Sequence, residues 1–72
     1  MGLNEIRDTL VNLAPDMRPV QVETLASYMY EYADGHSDKA YRRARQYVST
    51  VKAYGQATYD ELVRIVALLD SM

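Results

Sequence analysis

TYDELVRIVALLD, residues 58–70, decides the fold because it carries both a helix start and a helical stripe. Thr58 is followed three residues later by Glu61, the spacing of a capping box. The hydroxyl accepts from the Glu61 amide, and the Glu61 carboxylate reaches back to the Thr58 amide. Leu62, Ile65, Val66 and Leu69 then recur at steps of three and four, which is one face of a helix over 59–71. Val63 and Leu68 flank that stripe on opposite sides, and Arg64 is the only charge between Glu61 and Asp70. An apolar surface this broad predicts burial on more than one side. We read it as a self-association surface, with Val63 and Leu68 as its contacts and a homodimer as its product. The competing reading makes this helix the central one of a monomer.

The segments upstream follow the same logic. Gly55 stops a helix over 38–54 that Ser37 caps, with Ala40, Ala44, Tyr47, Val48 and Val51 on one face. Its two alanines, four apart, let a neighbouring helix approach closely. Pro19 suits the first position of a helix over 19–33, whose stripe is Val22, Leu25, Ala26, Met29, Tyr32 and Ala33. Gly35 is expected to take the left-handed position after its last turn. Leu3, Ile6, Leu10 and Leu13 predict a helix over 4–13, with Asn4 as N-cap and Ala14-Pro15 as its end. No run alternates with period two, so no strand is expected. The fold class is all-α: a small bundle of four short helices, in one domain over 1–72, with connections of about five residues and no linker or repeat.

Composition limits the alternatives. At 49% hydrophobic and 25% charged, the 72 residues are globular rather than disordered. The longest apolar run, Ile65 to Leu69, is far short of a membrane span, so no membrane role is expected. Asn4, Glu5 and Asp8 stand where a signal peptide would be basic and then apolar. The chain has no cysteine, which removes disulfides and Cys-type zinc sites and fits a cytoplasmic protein. Burial of apolar surface in a fold of this size contributes about 110 kcal/mol. Chain ordering costs about the same, at about 1.5 kcal/mol per residue. A balance near zero favours extra burial through association.

Catalytic chemistry finds little support. The single histidine, His36, lies in the turn Asp34-Gly35-His36-Ser37-Asp38. There is no glycine-rich phosphate loop and no nucleophile elbow. Glu31, Asp34, His36 and Asp38 are the nearest approach to a metal cluster, and turn and capping chemistry explains them better. We therefore expect a non-enzyme with no catalytic residues, cofactor or metal.

Charge segregation is the main functional signal. Lys39, Arg42, Arg43, Arg45 and Lys52 are five of the eight basic residues, with no acid among them, leaving three basic against ten acidic residues elsewhere. On a helical projection Tyr41, Arg42, Arg45, Ser49 and Lys52 fall in one sector, read as lying opposite the alanine–valine stripe. Glu31 and Asp34, near the end of the preceding helix, account for Lys39, Arg42 and Arg43 as compensating neighbours. Arg45 and Lys52 have no such neighbour. All seven aromatic residues are tyrosine. Tyr32 and Tyr47 fall on core stripes, whereas Tyr28 and Tyr30 cannot both join Tyr32 there. Tyrosine and arginine are the types enriched at interface hot spots.

Two functions fit. The first is a small regulatory or inhibitory protein that docks on an acidic protein partner through Tyr41, Arg42, Arg45, Ser49 and Lys52. The alternative is nucleic-acid binding, with the same helix on phosphates. A sequence pI of 5.1 opposes the alternative, and the turns near Gly35 and Gly55 lack the helix-turn-helix pattern.

Overall fold

Four helices, in a computed structural model that describes residues 1–72, form around one apolar cluster. They are α1 (Leu3–Leu13), α2 (Pro19–Gly35), α3 (Asp38–Ala53) and α4 (Tyr59–Asp70), and no strand is present. The all-α bundle read from the sequence is the observed architecture. Helix α2 packs against α1 and α3, and α4 closes the bundle against α3 and α1.

The predicted stripes build the core. Ile6, Leu10, Leu25, Ala26, Met29, Ala44, Val51, Ile65 and Leu69 are fully buried. Tyr32, Tyr47, Val66 and Leu68 pack half-buried at the edge of the core. Ala44 lies between Ala40 and Val48 on the buried face of α3, and the small side chains permit close approach of α2. Two buried residues, Ala14 and Met17, come from the α1–α2 connection, where no periodicity announced them. The accessible surface is 4498 Å². That matches the ~4,500 Å² expected of a compact monomer of this mass.

Cap chemistry agrees with the sequence at α3 and α4. Ser37 Oγ accepts the Ala40 amide at 3.1 Å. Thr58 Oγ1 accepts the Glu61 amide at 3.2 Å, and Glu61 Oε1 accepts the Thr58 amide at 2.8 Å. Replacing Thr58 with alanine is expected to lower stability by about 1 kcal/mol in urea denaturation. An unchanged midpoint would show that the hydroxyl contributes nothing at this helix start. Gly55 has φ +66°, and the amides of Gly55 and Gln56 donate to the carbonyls of Lys52 and Val51. This is a Schellman ending that needs a residue free of a Cβ penalty.

Two predicted boundaries are corrected. Helix α1 starts at Leu3 with Gly2 as N-cap, not with Asn4. Glu5 Oε1 accepts the Gly2 amide at 3.5 Å, while Asn4 Oδ1 instead accepts from Arg7 Nη1 at 3.0 Å. Helix α2 continues through Gly35, and the left-handed residue is His36 at φ 52°. His36 is held there from two sides. Its Nε2 lies 2.6 Å from the backbone oxygen of Met72, and its ring packs edge-to-face with Tyr32, centroids 5.1 Å apart. These contacts offset the steric cost of a Cβ at positive φ. Accordingly, His36→Ala should be less stable than His36→Gly by about 1 kcal/mol, because both lose the ring but only alanine keeps the strain. Equal midpoints for the two variants in urea would contradict a left-handed residue at this position.

Candidate docking crevice between α3 and α4

The basic row of α3 is not opposite the buried stripe, as its sequence projection suggested. It lies beside the stripe, and its near edge borders α4. The link is made by Tyr41, whose hydroxyl donates to Asp70 Oδ1 at 2.5 Å across the α3–α4 seam. Arg45 Nη1 donates to the same phenol oxygen at 3.0 Å, and its guanidinium carbon sits 5.9 Å from the Tyr41 ring centroid. Tyr41 is half-buried and also packs edge-on against Tyr32 at 5.2 Å. Its hydroxyl thus serves the fold, which reduces what it offers to a partner.

Beside this tie a crevice runs between the two helices. Arg45, Ser49 and Lys52 on α3 face Tyr59, Val63 and Val66 on α4, over a floor of Val48 and Leu62. The crevice encloses about 320 Å³. Val48 and Leu62 are buried, whereas Val63 is 50% exposed and Tyr59 is 75% exposed. Helical periodicity places Val48, Leu62 and Val66 on core stripes and gives Tyr59 no signal. The missing information was the register of α4 on α3. That register is fixed by contacts between residues 29 apart, such as Tyr41 with Asp70.

The other predicted residues separate by environment. Arg43 lies 3.8 Å from Glu31 on α2, the compensating pair expected from the sequence. Arg42 and Lys39 are exposed and make no ion pair, although they were expected to be neighbours of the α2 acids. Arg45 and Lys52 also make no ion pair. Lys52 stands in the last turn of α3, where a cation favours the helix end. Val63 and Leu68 diverge. Val63 lines the crevice, and Leu68 packs half-buried on the core.

A larger depression, about 630 Å³, lies between Arg18, Pro19, Val20, Tyr54 and Gln56. Its one cation is Arg18, and the Arg18 amide is occupied by Gln56 Oε1 at 3.0 Å. That bond joins the two long connections and gives this region a structural purpose. The α3–α4 crevice differs in combining an apolar floor with two unpaired cations. No set of three or more His, Asp or Glu side chains is arranged to hold a metal ion, and no helix is long and apolar enough to cross a membrane.

Comparison with protein-family models, curated proteins and solved structures found no match. The functional reading therefore rests on the geometry of this chain alone.

Proposed function

We propose that this protein is a small, non-catalytic interaction module that regulates or inhibits an acidic protein partner by docking through the α3–α4 edge. One observation carries the reading: Arg45 and Lys52, neither of them in an ion pair within the chain, flank an apolar crevice that the fold leaves open. Surface cations alone are solvated and contribute little. Exposed apolar side chains alone are common. Together they make a site whose centre excludes water and whose rim selects charge. Ser49 and Arg42 extend the polar rim along α3.

The test is quantitative capture from a host extract by the wild type, by an Arg45→Glu, Lys52→Glu variant and by Arg43→Glu. A protein retained by wild type and Arg43→Glu, lost with the double variant, and itself acidic supports docking. Capture that survives the double change places binding elsewhere.

Nucleic-acid binding is the second reading, favoured by four α3 cations without ion-pair partners. It requires binding to duplex DNA that falls steeply between low and moderate salt. A shift at low salt that vanishes by physiological salt would mark nonspecific attraction only.

Self-association is a separate proposal, with Val63 as its probe. Leu68 is a poorer one, because a charge there also disturbs the core. If a homodimer uses the crevice edge, Val63→Lys should convert a dimer to a monomer in sedimentation at tens of micromolar with helicity retained. A monomeric wild type under those conditions removes the proposal.

A further inference from the structure

Resting on that docking reading, we infer that the crevice takes an amphipathic helix of the partner, with two carboxylates about two turns apart on the flank that faces α3. The dimensions come from the walls. Arg45 and Lys52 are seven residues apart on one helix, which places them about 10.5 Å apart along its axis. A helix lying alongside α3 meets both when its acids are spaced by seven, or by a neighbouring step of six to eight. The floor of Val48 and Leu62, with Tyr59, Val63 and Val66 on the far wall, calls for an apolar stripe at i, i+3, i+4 and i+7 on the occupant's face adjoining the two acids.

A helix suits this site better than an extended segment. An extended peptide gains its main-chain hydrogen bonds from a sheet edge, and this fold has no strand. Two neighbouring helices instead present a groove between ridges, into which a third helix packs. The Tyr41–Asp70 tie limits the crevice at one end and adds a carboxylate there. Arg45 shares the Tyr41 hydroxyl with Asp70, so the acid that meets Arg45 also approaches a carboxylate, and the preference for negative charge is stronger at the Lys52 end.

A second copy of the chain does not meet this specification. Glu23 and Glu31 are the only carboxylates spaced about two turns apart on one of its helices. Each is already ion-paired within its own molecule, Glu23 with Arg7 at 2.6 Å and Glu31 with Arg43 at 3.8 Å.

The experiment titrates isotope-labelled protein with synthetic peptides and follows amide and methyl resonances. The first peptide is an amphipathic helix with a leucine face and two glutamates spaced by seven. The second replaces both glutamates with glutamine. The third keeps both glutamates and leucines but carries central prolines that break the helix. A short DNA duplex is the fourth probe. The expected result is binding of the first peptide about tenfold tighter than the second and third, with shifts at Val48, Val63 and Val66. Arg45→Ala, Lys52→Ala should erase the preference for glutamate over glutamine, and Val63→Asp should abolish binding of the first peptide.

Equal binding of the proline-broken peptide through the same residues overturns the helical occupant while leaving acidic docking intact. Equal binding of the glutamine peptide overturns the charge requirement and the docking reading with it. Binding of the duplex alone transfers the site to nucleic acid. Silence of every probe at millimolar concentration overturns both the occupant and the docking site. Circular dichroism of each variant separates loss of binding from loss of fold.

Discussion

Leu25→Ala is expected to lower the unfolding free energy by about 2–5 kcal/mol, enough to populate the unfolded chain at room temperature. Leu25 is fully buried on α2, the helix that packs on both α1 and α3. Its truncation removes contacts in the middle of the core and leaves a cavity that three helices cannot close together. A domain of this length has a total stability of about 4–11 kcal/mol. One such change therefore consumes a large share of it. Tyr30→Ala on the same helix is the control: Tyr30 is exposed, so its loss should fall within about 0.5 kcal/mol. Urea denaturation followed by circular dichroism measures both. If Leu25→Ala shifts the midpoint no further than Tyr30→Ala, α2 is not the centre of the packing. The same titration at two protein concentrations addresses association, since a dimer linked to folding raises the midpoint with concentration.

What was legible in the sequence was mostly local. Thr58 with Glu61, Ser37 and Gly55 each act within a few residues, and each has the predicted role. The helical stripes were legible because burial follows helical periodicity in a bundle. The errors at Asn4 and Gly35 arose where residue preference competed with contacts from outside the segment. Asn4 is a better N-cap by type than Gly2, but the Glu5 carboxylate serves the Gly2 amide. Gly35 is a better left-handed residue by type than His36, but Tyr32 and Met72 hold the imidazole. The candidate site shows the same division. The row Arg45, Ser49, Lys52 follows from helical geometry, whereas its apolar wall on α4 depends on how two helices register. Arg43 was legible because Glu31 lies across a connection of only two residues, His36 and Ser37. The Tyr41–Asp70 bond, between residues 29 apart, had no local signature.

Reversing charge at Arg45 and Lys52 together is expected to abolish docking while the fold persists. Both side chains are exposed, and neither is ion-paired. Their structural ties are small and nameable. Arg45 gives one hydrogen bond to the Tyr41 hydroxyl, and Lys52 favours the end of α3. An Arg45→Glu, Lys52→Glu variant should therefore lose about 1 kcal/mol or less of stability, part of it from a new carboxylate beside Asp70. Against an acidic helical peptide the effect is much larger. Two attractions become two repulsions, association slows sharply, its salt dependence changes sign because salt now screens repulsion, and the affinity falls beyond detection. Arg43→Glu calibrates the comparison, because it breaks the pair with Glu31 on the opposite flank of α3 and should leave peptide binding unchanged. Stopped-flow association at two salt concentrations, with thermal unfolding of the same samples, reads both effects. Should the double variant melt well below Arg43→Glu, Arg45 and Lys52 are structural charges. Should it fold and still bind the peptide, the crevice recognises apolar surface alone and its basic rim is incidental.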